Sequence, residues 1–215
     1  MNTAIPRNDL EGYSPSERPE IINTLEAKAG KKYKEYKNIE LKMDYVELKD
    51  SLIFAGVPLS LYPNFGNIGR FHDEYKENMM NHYAPYTEVG YSGTFGNGSW
   101  DYIFGCQIRS MEDVPEGLIS FDIELKRFVE ITFRVKTIYE LVGDDKGPGD
   151  AMVTAGEYIR EIWLPEHGDE VNVVDLNNLC FEVKKGDRTY YLGMIEIYKV
   201  ELQDDAEISF YIPLK

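Results

Sequence analysis

The chain repeats one short pattern, first as Val46-Glu47-Leu48-Lys49 followed by Leu52-Ile53-Phe54-Ala55-Gly56-Val57. The second copy is Ile123-Glu124-Leu125-Lys126 followed by Val129-Glu130-Ile131-Thr132-Phe133-Arg134-Val135. The longer segment of each copy is rich in β-branched and aromatic residues, which favour a strand. Each copy precedes a segment with helical spacing and then more strand-like sequence. The repetition therefore predicts two similar α+β units that pack side by side with a cleft between them.

Both predicted units follow the order strand, helix, strand, strand. In the first unit we expect a strand region at 43–57, a helix from Asn67 to about Asn81, and strands at 86–94 and 100–108 joined by an Asn-Gly turn. In the second unit we expect strands at 118–125 and 128–141, a helix ending near Leu164-Pro165, and strands at 171–174, 179–183, 190–202 and 208–213. The fold class is thus α+β, a tandem pseudo-twofold repeat with an antiparallel sheet, helices packed on it and a cleft between the halves.

The first 41 residues do not fit this repeat. Residues 1 to about 18 are polar and proline-containing, which indicates a loosely held tail. From Pro19 to Tyr36 the apolar residues are spaced as on one face of a helix. We therefore divide the chain into a polar tail and helix at 1–41 and a domain at 42–215, whose halves are about 42–112 and 113–215.

The charge of the chain limits its partners. Its 215 residues include 38 acidic and 23 basic side chains, a net charge of -15. This balance disfavours direct binding to nucleic acid, which needs clustered Lys and Arg. It favours cationic ligands or a basic protein partner, although acidity also keeps a protein soluble. The sequence leaves the oligomeric state open.

The remaining composition indicates a cytoplasmic protein with no membrane contact. Cys106 and Cys180 lie in apolar, strand-like runs, as expected for buried free thiols. The chain has neither an apolar signal sequence at its start nor a run of about 20 apolar residues. His72, His82 and His167 lack metal-ligand spacing, so we expect solvated histidines, no metal and no cofactor.

Aromatic residues are the candidates for a binding surface. The chain has 16 Tyr, 10 Phe and 2 Trp, and tyrosine lines pockets that are apolar yet able to donate hydrogen bonds. Trp100, Tyr102 and Phe104 alternate along a predicted strand and so share one face. Tyr158 and Trp163 lie on the second predicted helix or at its end. The competing interpretation is that these side chains simply form the core.

Glu182 is the candidate anionic group. It interrupts the apolar run Leu179-Cys180-Phe181-Glu182-Val183. A carboxylate buried there needs a partner or a higher proton affinity. Beneath aromatic walls it would suit a lipophilic cation. The alternative is a surface-facing glutamate, since neighbouring residues of a strand point to opposite faces.

Four segments resemble GyrI-like small-molecule-binding domains, also known as the effector-binding domains of bacterial transcription activators. Glu161-Ile162-Trp163-Leu164-Pro165-Glu166-His167-Gly168 is similar to the Trp-Leu-Pro-x-x-Gly helix end of that family. Phe181-Glu182, Phe210-Tyr211-Ile212-Pro213-Leu214 and Asp101-Tyr102-Ile103-Phe104-Gly105 resemble three of its strands. Their order and spacing fit over roughly residues 42–215.

The resemblance implies a stand-alone small-molecule-binding protein that senses or sequesters a drug or toxin. The expected ligand is lipophilic, and cationic or aromatic. Its cleft would contain Glu182, Trp163, Tyr102, Phe104, Trp100 and Tyr158. Two alternatives stay open. One is a GyrI-like hydrolase of reactive toxins, with Glu182 as the catalytic residue and a tyrosine such as Tyr102 as proton donor. The other is an acidic protein that binds a protein partner, like the gyrase inhibitors of the family.

Overall fold

The computed structural model describes residues 21–24, 34–58, 88–94, 100–108, 110–112, 114, 118–134, 136, 140, 149–198 and 207–215. The strands are β1 (Ile21–Thr24), β2 (Lys34–Tyr36), β3 (Ile39–Leu48), β4 (Leu52–Pro58), β5 (Glu88–Thr94), β6 (Trp100–Ile108), β7 (Ile119–Ile123), β8 (Arg127–Arg134), β9 (Phe181–Lys185), β10 (Arg188–Tyr198) and β11 (Glu207–Pro213). Helix α1 (Asp150–Glu157) continues through a π-helical segment (Tyr158–Trp163) into the short helix α2 (Leu164–His167).

The described strands form one antiparallel sheet. The strand order is β1-β3-β8-β11-β10-β5-β6-β4-β7, and β2 and β9 pair with β3 and β10 beside this path. β3 pairs with β8 rather than with β4, the next strand along the chain. β7 in turn pairs with β4 rather than with β8. Each half of the chain thus supplies a strand to the other half, and the fold is a mostly antiparallel α+β arrangement.

The helical segment covers the part of the sheet made by β3, β8 and β11. Its inward side chains, such as Ala155, Ile159 and Trp163, pack against alternate residues of those strands, such as Ile131 and Phe210. These side chains are almost fully removed from water, and their apolar burial holds the helical segment on the sheet. We call this side of the sheet the helix side.

The opposite side of the sheet carries a second apolar cluster. Phe54, Phe121, Phe128, Phe181 and Leu192 are among its buried members. The cluster also includes residues of β3 and β7, which lie near the two ends of the order. β9 also approaches β7, where the Lys185 ammonium donates to the Ser120 carbonyl at 2.8 Å. The sheet therefore curls around this cluster.

Among the described residues, one helix prediction is wrong and another is confirmed with a later end. The N-terminal helix predicted to end at Tyr36 is wrong, because 21–24 and 34–36 are strands paired with β3. The second helix continues past Leu164-Pro165 to His167, and Pro165 lies where the π-helical segment passes into α2. The helix predicted at 67–81 lies outside the described residues.

The strand predictions hold for the described residues, with ends that differ by a few residues. β5 and β6 pair as the Asn-Gly turn predicts, and β7, β8, β9, β10 and β11 occupy the predicted regions. The strand expected at 171–174 is reduced to one bridge between Val171 and Leu214. Among the described helices, none is long and apolar enough to cross a membrane.

Candidate functional site

A carboxylate stands on the helix side of the central strand β10. Glu196 is the register partner of Phe210 on β11, and Phe210 belongs to the helix-side core. Directly opposite residues of an antiparallel pair point to the same face. Glu196 therefore leaves the sheet on the helix side, and its side chain is half-buried.

Tyr102 on β6 reaches this carboxylate from two strands away. The Tyr102 hydroxyl donates a hydrogen bond to Glu196 Oε2 at 2.7 Å. A hydrogen bond of this length to a carboxylate is of the strong, charge-assisted kind. Tyr102 is half-buried, so the pair is shielded from water without being sealed from it. The pair combines a phenolic proton donor with a carboxylate acceptor. It lies on the face of β6 that carries Tyr102, which the sequence analysis proposes as a binding surface.

β5 runs between the two members of this pair. Glu196 is the register partner of Gly90, and Tyr102 is the register partner of Ser92. Strands are about 4.8 Å apart, so β10 and β6 are about 9.5 Å apart. The hydrogen bond from Tyr102 to Glu196 consequently crosses β5 diagonally, from the position of Ser92 to that of Gly90.

Glu182 lies at the surface. On β9 Phe181 and Val183 take the inward positions, so Glu182 points outward with 40% of its side chain exposed. Its charged neighbour is Lys184, at 3.9 Å. The expectation of an enclosed carboxylate at this position is not met, because strand alternation gives the core to Phe181. Ligand binding by Glu182 stays a prediction.

Tyr158 and Trp163 lie where the helical segment meets the sheet. The Tyr158 hydroxyl donates to Met43 Sδ at 3.8 Å, and its ring meets the Tyr36 ring edge-on at 5.1 Å. Burial, followed by the negative charge of Glu166, raises the pKa of Tyr158 above its ordinary 10.0. Trp163 is 1% exposed, and its indole N–H has no hydrogen-bond partner among the described residues. Both are core side chains of the described part, and their contact with a ligand stays a prediction.

His167 is not the solvated histidine that the sequence indicates. Its Nδ1 lies 3.0 Å from Glu170 Oε1 and 3.5 Å from the Tyr45 hydroxyl. Its ring stacks on that of Trp163, with 5.2 Å between the ring centroids. Through Tyr45 on β3, these contacts link the end of α2 to the sheet. His72 and His82 lie outside the described residues.

The side chains of Trp100 and Phe104 also lie outside the described part of the chain. Their backbone positions in β6 are opposite Thr94 and Gly90. Cys180 is buried, as expected, and burial raises the pKa of its thiol. Within the described residues, no group of three or more His, Cys, Asp or Glu side chains is placed to hold a metal ion.

Sequence reasoning missed Glu196 because the pattern around it is ordinary. Glu196 alternates with Ile195 and Ile197, which is how a solvent-facing position of a half-buried strand looks. What distinguishes it is the pairing of β10 with β5 and the reach of Tyr102 across that strand. A long-range pairing of this kind leaves no local signal in one sequence.

Comparison with known proteins finds similarity in structure but not in sequence. No protein-family model matches this chain, and no curated protein matches it. The structure of SAV2435 bound to tetraphenylphosphonium is similar with a TM-score of 0.46 and 11% identity, over 86% of this chain and 94% of that one.

Two further structures are similar at the same level. One is described as a bacterial transcription regulation protein from Staphylococcus aureus MU50, with a TM-score of 0.42 and 12% identity over 86% of this chain and 99% of that one. The other is EcmrR in a complex with DNA, with a TM-score of 0.40 and 13% identity over 82% of this chain and 58% of that one. Identities and TM-scores of this size concern the arrangement of the chain alone.

Proposed function

We propose that this chain is a small-molecule-binding protein of the GyrI-like kind, which takes a lipophilic cation on the helix side of its sheet. The observation that carries the proposal is the hydrogen bond from Tyr102 to Glu196 on that side. A half-buried carboxylate beside a tyrosine ring attracts a cation by charge and by contact with the ring face. The protein would act as a sensor or a sequestering module in the cytoplasm.

We also propose that the sheet is a pseudo-twofold repeat of strand–helix–strand–strand units. From β3 to β7 the strand order is β3-β8-β11-β10-β5-β6-β4-β7. If β3 is exchanged with β7, β4 with β8, β5 with β10 and β6 with β11, the result is the same order read from the opposite edge of the sheet. The axis of such a repeat would pass between β5 and β10, beside Glu196. A ligand cleft between the halves would then be centred on that carboxylate.

The role of charge is tested by calorimetric titration with two ligands of similar size. Methyltriphenylphosphonium is a cation, and triphenylphosphine oxide carries the same three rings without net charge. In Glu196→Gln we expect the affinity for the cation to fall by about tenfold or more and that for the neutral ligand to change by less than about twofold. Equal losses for both ligands would remove the electrostatic argument.

Glu182→Gln is the matched control, since it removes the same charge from an exposed position on the neighbouring strand β9. We expect it to keep the affinity for the cation within about twofold of the wild type, because a solvated charge is well screened. If Glu182→Gln loses cation binding and Glu196→Gln retains it, Glu182 is the carboxylate that binds the cation. Failure of the wild type to bind either ligand would contradict the proposed function.

A hydrolase is the second candidate, because a tyrosine that donates to a carboxylate is also an acid–base pair. Glu196 could take a proton from an attacking water while Tyr102 protonates the leaving group. The test is incubation with an activated ester or an epoxide, with the products followed by chromatography. Turnover that is lost in both Glu196→Gln and Tyr102→Phe supports this function, and recovery of intact substrate contradicts it.

A further inference from the structure

Gly90 on β5 is the feature of this site that the proposed function does not by itself explain. Glycine in a strand interior weakens the strand, because it adds backbone entropy and no packing. Gly90 is inside β5 and directly opposite Glu196. A glycine inside a strand often marks a site where another group approaches the backbone closely.

The Tyr102 side chain crosses β5 between Ser92, its own register partner, and Gly90, the register partner of Glu196. To donate to Glu196 it must pass over β5, since β5 separates β6 from β10. Opposite residues of an antiparallel pair have Cβ atoms about 4.5–5.5 Å apart. A side chain at position 90 would therefore stand beside Glu196, in the path by which the Tyr102 hydroxyl arrives.

We propose that Gly90 determines which cations the site accepts, by keeping the approach to Glu196 deep enough for an aromatic ring. The Tyr102 hydroxyl already reaches Glu196 by this approach. A ligand that reaches Glu196 from the same side must either replace the Tyr102 ring or stack on it, and both arrangements need the space that glycine leaves. The inference rests on the proposed function and adds to it a limit on ligand size. The expected ligand class is an organic cation with aromatic substituents.

The test compares two cations of equal charge and different size. Wild type, Gly90→Ala and Gly90→Val are titrated calorimetrically with tetraphenylphosphonium and with tetraethylammonium. We expect Gly90→Val to weaken binding of tetraphenylphosphonium by about tenfold or more and that of tetraethylammonium by less than about threefold. Gly90→Ala should fall between wild type and Gly90→Val, because it adds a single methyl group. Unchanged affinity for tetraphenylphosphonium in Gly90→Val, or equal losses for both cations, overturns the inference.

A stability measurement tests the same geometry without a ligand. In the wild-type background, Tyr102→Ala removes the hydrogen bond to Glu196 and should lower the melting temperature. In the Gly90→Val background the same change also removes a steric conflict, so we expect it to lower the melting temperature less or to raise it. Equal effects in the two backgrounds show that position 90 does not meet Tyr102, which overturns the inference. Where Gly90→Val does not fold, Gly90→Ala serves for the same cycle.

The two proposals fail in different ways. If the wild type binds neither cation, both the proposed function and the limit on ligand size are wrong. If wild type and Gly90→Val bind both cations alike, the site exists and only the role of Gly90 is wrong.

Discussion

Single residues on the side of the sheet opposite the helix form a buried polar cluster. Glu130 is 5% exposed, and Thr132 and Ser209 are 0% exposed. Ser209 Oγ donates to Glu130 Oε1 at 2.9 Å, and the hydroxyls of Ser209 and Thr132 are 2.8 Å apart. Burying a carboxylate is costly unless hydrogen bonds compensate it. The Ser209 hydroxyl, itself hydrogen-bonded to Thr132, therefore offsets part of the cost of burying the Glu130 carboxylate.

Thr132→Val tests this cluster because it removes the hydroxyl and keeps the branched shape. We expect it to lower the free energy of unfolding by about 1–3 kcal/mol, since a buried polar partner is left with one hydrogen bond fewer. The control is Thr189→Val on the exposed part of β10, for which we expect a change within about 0.5 kcal/mol. Urea unfolding of both variants measures the difference. Equal effects would show that the Thr132 hydroxyl contributes nothing particular.

At the residue scale, sequence reasoning identifies types of side chain better than their surroundings. It correctly expects a buried thiol at Cys180, because the neighbouring residues are apolar. It selects Glu182 and passes over Glu196, although both are glutamates between apolar strand residues. The difference is that Glu196 lies in a central strand, where Tyr102 can reach it, and Glu182 lies beside the main path of the sheet. Strand order is a tertiary property, so the local pattern does not contain it.

At the scale of elements, the π-helical segment explains why the predicted helix face is partly wrong. The sequence places Ile162 on the inward face with Ala155 and Ile159, following a period of 3.6 residues. A π-helical turn contains more residues than an α-helical turn, so the inward stripe shifts along the sequence. Trp163 is fully buried as a result, and Ile162 is 44% exposed. Periodicity alone does not reveal the wider turn.

The β2–β3 turn holds the helical segment from its outer side. The Lys37 ammonium donates to the Glu157 carboxylate, and Thr154 Oγ1 donates to Asn38 Oδ1 at 3.0 Å. The Tyr36 ring packs edge-on against Tyr158. Residues 36–38 thus stabilise the helical segment, although the sequence analysis places them before the start of the domain at residue 42.

The burial of Tyr158 gives stability a dependence on alkaline pH. Because the pKa of Tyr158 is raised in the folded protein, the unfolded chain ionises first once the pH passes about 10. The unfolded state then holds fewer protons, so this tyrosine lowers the free energy of unfolding as the pH rises. Tyr158→Phe cannot ionise there. We expect the stability of the wild type relative to Tyr158→Phe to fall between about pH 9 and about pH 11, as measured by urea unfolding at each pH. A constant difference would contradict the prediction.

At the scale of the whole molecule, the exchange of strands joins the two halves. β3 of the first half pairs with β8, and β7 of the second half pairs with β4. The sequence predicts the repeated segments that become β3–β4 and β7–β8, because strand composition is local. It does not predict that the strands of each copy separate to pair in different halves, since that choice depends on long-range pairing. The predicted halves at about 42–112 and 113–215 are therefore not independent in their hydrogen bonding.

The exchange predicts that the protein unfolds as one cooperative unit. Neither half can lose its sheet without removing a hydrogen-bonded neighbour from the other. Far-UV circular dichroism reports the whole sheet, and in a Trp100→Phe variant the fluorescence reports Trp163 at the helix–sheet contact. We expect the two signals to give the same urea midpoint and the same slope. A fragment of residues 113–215 should lack native β-sheet signal, because β8 loses β3 and β7 loses β4. Two separated transitions, or a folded fragment, would show that the halves are stable without the exchanged strands.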